Sequence, residues 1–346
     1  MSVQYVKLGD VCAKDSSNIA QKDLKDCFGK YPVYGAGGYI QNVDFYHQED
    51  EYIAIVKDGA GVGRAMILPA KSSVIGTMQY IIPDKNKVDM HYLYYAIINM
   101  ALGKYFSGAT IPHIYFKDYQ KEIFKLPDLE TQKKIADNLK NIDLIIAKKN
   151  KQIGLFNELV KSRFIEMFGD VVINSKNWEQ TTLKNVAIGK LTYGSGASAI
   201  NFNGKIRYIR ITDISNDGEL NDDMKSPSIC DNKYLLNDGD ILFARSGATV
   251  GKTFCFNKKR YGEAIYAGYL IRMIPDKKRV LPIYVFYYTK TDYYISFISK
   301  AQKAVAQPNI NAQEYGDLKI CVPPIELQNQ FAAFVKQTDK SKFVIQ

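Results

Sequence analysis

Apolar and polar positions follow two different rhythms along this chain. The first is a series of short apolar runs broken by Gly, Asn and Asp. YIAIVKDGAGVGRAMIL at 52–68 and DILFARSGATVGKTFCF at 240–256 each read as two strands joined by a tight, glycine-bearing turn. Tyr208-Ile209-Arg210-Ile211-Thr212 alternates, which places Ile209 and Ile211 on one face and Arg210 on the other. Tyr-rich segments at 91–100 and 282–290 read as helices packed on those sheets.

The second rhythm is a 4-3 spacing through Ile135, Leu139, Ile142, Ile146, Ile153, Phe156, Val160 and Met167, interrupted at Lys149 and Arg163. That is the pattern of a coiled-coil seam. It predicts a helix over 131–168, about 57 Å long at 1.5 Å per residue. Asp128 is the expected N-cap, Glu130 suits the first turn, and Gly169-Asp170 closes the helix before a polar linker at 174–177. Phe331, Val335 and Thr338 begin a second helix of the same kind, over 326–346.

The chain repeats itself. Gly59, Gly63 and Arg64 align with Gly247, Gly251 and Lys252, and Ile82-Pro83-Asp84-Lys85 aligns with Ile274-Pro275-Asp276-Lys277. Pro112-His113-Ile114 then matches Pro308-Asn309-Ile310, and Leu129-Glu130-x-Gln132 matches Ile325-Glu326-x-Gln328. VKLGDV at 6–11 resembles TTLKNV at 181–186. The order is kept while the offset drifts, as loop insertions produce, so the chain is a duplication. Two mixed α+β domains follow, at 1–128 and 170–323, with helices at 129–169 and 324–346.

The length of 346 residues and an ordinary hydrophobic share of 46% fit two globular domains. No apolar run reaches bilayer length, and no leader is read in MSVQYVKLGD. Five scattered cysteines without C-x-x-C, and three histidines without ligand spacing, argue against a disulfide scaffold or a metal centre. They suggest a reducing, cytoplasmic setting. The net charge of +10 favours an anionic partner, nucleic acid first, with no membrane association.

Chemistry is approached without being completed. Gly247-Ala-Thr-Val-Gly251-Lys252-Thr253 has three residues between its glycines where a phosphate loop needs four, and TFCF after it reads as strand rather than helix. Val322-Pro323-Pro324-Ile325 lacks the amide and the aromatic ring of an amino-methyltransferase motif. Asp317-x-Lys319 beside Pro275-Asp276 would suit a nuclease, but Lys121 stands where the first copy would need the aspartate. No nucleophile set is apparent, so the chain is read as non-catalytic.

The residues Ile241 to Lys252, Gln307-Pro308-Asn309-Ile310, Pro323-Pro324-Ile325-Glu326-x-Gln328 and the helix from Gln132 to Phe168 carry a resemblance over essentially the whole chain. It resembles the specificity (S) subunit of Type I restriction–modification enzymes. The resemblance implies two target-recognition domains, each reading one half of an interrupted double-stranded DNA target. It also implies helices that pair as an antiparallel coiled coil, set half-site spacing and dock the modification subunits. S-adenosylmethionine, and ATP with Mg²⁺ for restriction, would belong to partner subunits, among them a restriction/translocase subunit. An S subunit of a system with fused nuclease and methyltransferase fits equally. A stand-alone DNA-binding or architectural protein remains the alternative.

The expected DNA contacts lie on loops. They are Lys57, Arg64, Thr110 and His113 in the first domain, and Thr192, Tyr193, Ser195, Arg207, Arg210, Arg245, Lys252, Gln307 and Asn309 in the second. Because the second helix is the shorter, Ile153, Phe156 and Val160 are expected to stay uncovered and to meet a modification subunit or a second copy of the chain.

Overall fold

The computed structural model describes residues 4–108, 112–304 and 308–345. They fall into two compact units, 1–148 and 149–346.

The first unit contains strands β1 (Gln4–Lys7), β2 (Cys12–Ser16), β3 (Tyr31–Gly35), β4 (Gly38–Val43), β5 (Tyr52–Val56), β6 (Ala65–Leu68), β7 (Ser73–Val74) and β8 (Met78–Pro83). Helices α1 (Met90–Met100) and α2 (Phe116–Tyr119), then β9 (Ile123–Leu126), complete it before the long helix α3 (Leu129–Phe168). Its main sheet is antiparallel, in the order β2-β8-β5-β6, with β1 and β9 forming a separate antiparallel pair. β5 is buried at every residue because both its faces are covered. Ile53 and Ile55 pack with Leu93 and Ile97 of α1, while Tyr52, Ala54 and Val56 face Tyr80, Met78 and Leu68.

The second unit repeats this plan. Its strands are β10 (Glu179–Thr182), β11 (Thr192–Tyr193), β12 (Ala199–Asn201), β13 (Ile206–Ile209), β14 (Lys225–Pro227), β15 (Ile241–Ala244), β16 (Thr253–Cys255), β17 (Glu263–Tyr266), β18 (Leu270–Met273) and β19 (Lys319–Val322). Its helices are α4 (Lys258–Tyr261), α5 (Pro282–Tyr288), α6 (Asp292–Ala304), α7 (Ala312–Gly316) and α8 (Ile325–Ile345). The order β11-β18-β15-β16 reproduces the first sheet strand for strand, and β10 pairs with β19 as β1 does with β9. Ile241 and Phe243 face Tyr284, Val285 and Tyr288, while Leu242 and Ala244 face Phe254, Phe256 and Tyr266. The buried tyrosines keep their hydroxyls satisfied: Tyr284 donates to the Cys321 carbonyl at 2.8 Å and Tyr288 to that of Lys319 at 2.7 Å.

Each long helix starts from the same clamp. Gln132 and Gln328 are fully buried. The Gln132 side chain accepts from the Asp89 amide at 2.8 Å and donates to the carbonyls of Lys87 at 3.2 Å and Pro127 at 2.7 Å. Gln328 accepts from the Leu281 amide at 2.8 Å and donates to Arg279 at 2.9 Å and Pro323 at 2.8 Å. Asp128 is the N-cap of α3, accepting from the Thr131 amide at 2.9 Å, which holds its carboxyl below the usual range.

Two expectations are corrected here. The strand read at Tyr208–Thr212 ends at Ile209, and Arg210 opens a turn closed by the Asp213 carboxylate. The buried face of α3 in the second unit is Val160, Phe164 and Phe168, not Val160 and Met167 across Arg163. Tyr284 of α5 and Phe331 of α8 lie against the same side of α3, so a broad face is covered instead of a two-helix seam. Arg163 spreads over the ring of Phe334 at 6.0 Å. Phe331 thus meets Phe164 and Phe168, while the later Phe334 meets the earlier Arg163.

Val160 therefore cannot dock a partner: it is fully buried in the core of the second unit. Ile153 and Phe156 are half-buried. The helices in the described residues include none long and apolar enough to cross a membrane.

Candidate nucleic-acid interface

The glycine-bearing turns sit between β5 and β6 and between β15 and β16, as hairpins. The second contains one short 3-10 turn, Gly247–Thr249, and runs into a strand, so it does not have the strand-to-helix geometry of a phosphate loop. In both, a glycine at positive φ (Gly63 at 85°, Gly251 at 86°) lets the chain reverse at a point where a side chain would collide.

Each turn is tied to a distant loop by one and the same set of backbone hydrogen bonds. Gly59 N–H donates to Pro112 O at 2.9 Å, and Ile114 N–H to Lys57 O at 3.0 Å. In the second unit Gly247 N–H donates to Pro308 O at 3.0 Å, and Ile310 N–H to Arg245 O at 2.8 Å. Asp58 is thereby paired with His113, and Ser246 with Asn309. The frame is duplicated; the side chains it displays are not.

In the first unit the Asp58 carboxylate binds His113 Nδ1, and the imidazole lies 4.1 Å from the ring of Tyr115. Lys57 is half-buried at the base of the turn and Arg64 is exposed. Thr110 lies outside the described residues.

In the second unit Arg245 donates from Nε to Asn309 Oδ1 at 3.1 Å, and its guanidinium rests 4.7 Å over the ring of Tyr193. The Tyr193 hydroxyl accepts from the Ala312 amide at 3.0 Å, which fixes the ring as a platform. Thr192 is exposed next to it, with its hydroxyl 2.9 Å from that of Tyr266. Gln307 lies outside the described residues.

Four expected contacts of the second unit have other work. Ser195 is buried, and its hydroxyl accepts from the Ala197 amide to shape a turn. Arg207 is only 6% exposed and donates to Asn221 O at 2.6 Å, with burial drawing its pKa down. Arg210 is held by Asp213 at 2.5 Å and Asp223 at 3.0 Å, and those carboxylates raise its pKa. Lys252 spends its ammonium on Ile214 O at 3.0 Å. None of the four presents its charged or polar group freely.

The structure thus brings together Tyr193, Arg245 and Asn309 in one unit and Lys57 and His113 in the other. Asp58, Ser246 and Tyr115 belong with them and were not singled out from sequence. The repeat alignment contained the signal, since it sets Asp58 opposite Ser246 and His113 opposite Asn309.

The chain is thus two copies of one mixed fold, each holding a bridge of the same frame and different side chains. The sequence profile described as Type I restriction modification DNA specificity domain matches residues 2–155 and again 175–345. The chain belongs to that family. The MjaVIII type I restriction enzyme specificity subunit of Methanocaldococcus jannaschii is 26% identical over 322 residues, 87% of this chain and 75% of that protein. The putative MjaX specificity subunit of the same organism is 26% identical over 276 residues, 74% of this chain and 63% of that protein. The fold is also that of the S subunit of a Type I restriction–modification system from M. genitalium, with TM-score 0.61 at 15% identity, covering 99% of this chain and 91% of that one.

Proposed function

We propose that this chain is the non-catalytic, DNA-reading subunit of a type I restriction–modification complex. Each unit reads one half of an interrupted double-stranded target, and the helices set the spacing and dock methyltransferase subunits. The observation that carries this reading is the duplicated backbone frame with dissimilar side chains, Asp58–His113 in one unit and Ser246–Asn309 in the other. A common frame gives both units the same way of approaching a duplex, and different side chains let each answer to a different sequence. Similarity to type I restriction enzyme specificity subunits supports the assembly, and the net charge of +10 supports a polyanionic ligand. S-adenosylmethionine, and ATP with Mg²⁺ for restriction, are assigned to the partner subunits.

Between the family's two tasks for the helices, spacing and docking, the half-buried Ile153 and Phe156 are assigned to docking and antiparallel pairing of α3 with α8 to spacing. The Phe331 and Phe334 contacts with α3 support that sense of pairing. The test is a domain exchange in the complex co-expressed with its modification subunits. Replacing residues 178–320 with the equivalent domain of a relative is expected to alter one half of the methylated sequence. A change in both halves, or no methylation dependence on this chain at all, overturns the reading.

A further inference from the structure

The two bridges share their backbone hydrogen bonds and differ in what they turn outward. In the second unit the only side-chain carbonyl of the pair, Asn309 Oδ1, is already taken by Arg245 Nε at 3.1 Å. Among the described residues nothing accepts from the two Arg245 Nη groups or from Asn309 Nδ2, and all of these are donors. The guanidinium rests on the Tyr193 ring and is tethered through Nε to Asn309, which restricts its donor fork before any ligand arrives. The Ser246 hydroxyl beside it can donate as well.

In the first unit the polarity is reversed. One oxygen of Asp58 accepts from His113 Nδ1, and among the described residues its other oxygen has no donor. Both side chains are about a quarter exposed, 26% for Asp58 and 27% for His113, which leaves them within reach of a ligand. Lys57 takes the chain position of Arg245, but a lone ammonium has no fork and suits a phosphate better than a base edge.

The major groove supplies complementary partners for each set. Guanine presents two acceptors, O6 and N7, which match a guanidinium fork; cytosine presents an N4 amino donor, which matches a carboxylate. Adenine also carries an amino group, but its neighbouring N7 is an acceptor and would face the Asp58 carboxylate, which only accepts. We propose that the paired bridges are the specificity-determining elements of the two half-sites, Arg245 with Asn309 requiring a guanine in one and Asp58 with His113 requiring a cytosine in the other. This rests on the reading that both bridges face DNA.

The experiment uses the full chain in complex with its modification subunits. The target is first mapped from the methylated sites, and the domain exchange assigns each half to a unit. Binding is then measured on duplexes carrying 7-deazaguanine, which lacks N7, in one half, or N4-methylcytosine in the other. The first substitution is expected to weaken binding only through the second unit's half, and the second only through the first unit's half, each by about five- to hundred-fold. Arg245→Lys keeps the charge and loses the fork, so it should abolish the 7-deazaguanine effect without changing the salt dependence. Asp58→Asn should abolish the N4-methylcytosine effect. Full-strength binding to both modified duplexes, with Arg245→Ala lowering only the salt slope, would show that these side chains hold phosphates. That outcome overturns the base assignment and leaves DNA reading intact, whereas failure of the complex to bind any DNA sinks the functional proposal itself.

Discussion

The beginnings of α3 and α8 offer a comparison within one chain. Gln132 and Gln328 make the same three hydrogen bonds at equivalent positions, so both helices leave their sheets through the same clamp. One turn later they part company. Phe331 is fully buried among Phe164, Phe168 and Tyr287, while Ile135, its counterpart, is 36% exposed. Farther along α3, Ile142 and Ile146 are each 50% exposed. The clamp orients a helix without committing it to a partner; what lies on its first turns decides whether an apolar position becomes core. An apolar stripe is therefore a property of the helix, and burial a property of its neighbours.

The widest gap between the units is expected at these positions. Phe331→Ala should cost about 3–5 kcal/mol in urea unfolding of the full chain, and Ile135→Ala less than about 1 kcal/mol. Equal costs would mean that Ile135 is covered in solution and would break the comparison. Next come the clamps, where the units should agree. Gln132→Ala and Gln328→Ala each leave one amide and two carbonyls without their partner and should each lose about 3 kcal/mol, with matching loss of amide-exchange protection at Asp89 and Leu281. Unequal losses would show that the two clamps differ in weight.

The turns should separate the units by less. An added methyl at Gly63 would run into the backbone of Leu102 and Gly103, whereas at Gly251 its nearest neighbours are side-chain atoms of Ile298. Gly63→Ala is expected to cost about 2 kcal/mol or more and Gly251→Ala nearer 1 kcal/mol, since both also force an alanine into positive φ. Thermal unfolding of the two variants checks the order.

The smallest difference is a titration. Asp128 caps α3, but its counterpart in the second unit is Pro324, which has no carboxylate. The folded pKa of Asp128 is lowered, so its stabilising contribution is present above the ordinary carboxylate value and fades as pH falls through the lowered one. Asp128→Ala should therefore destabilise at neutral pH, with the gap to wild type closing in acid below about pH 4. A gap that persists at pH 2 would assign the effect to packing.

The duplication was legible in sequence because its markers are backbone-critical: glycines at the turns, prolines at the loop ends and the buried glutamine. Their alignment leads directly to the equivalent sheets and bridges. The role of Gln132 and Gln328 was not legible, because nothing local distinguishes a buried glutamine from one in solvent. The face of α3 was misjudged for a related reason. Phe164 and Phe168 follow Val160 at a spacing of four, and only the presence of Tyr284 beside Phe331 selects that face over the seam through Met167. Arg207 and Arg210 read as surface charge, yet Asn221, Asp213 and Asp223, which engage them, lie 3 to 14 residues downstream and reach them only once the loop has closed. Tyr193, Arg245 and Asn309 stand out individually in sequence as polar or basic loop residues; that they form one cluster is a fact of topology, since 64 residues separate the last two.

The bridge hydrogen bonds run from main chain to main chain, and this has a consequence for how such a protein diversifies. Residues 58, 113, 246 and 309 give no atom to these bonds, which run between their neighbours: Gly59 with Pro112, Ile114 with Lys57, Gly247 with Pro308 and Ile310 with Arg245. A mutation there changes the displayed group and leaves the fastening as it was. The displayed side chains are thus mechanically insulated from the fastening, and, on the proposed reading, one half of the chain can drift to a new preference while the other keeps its old one.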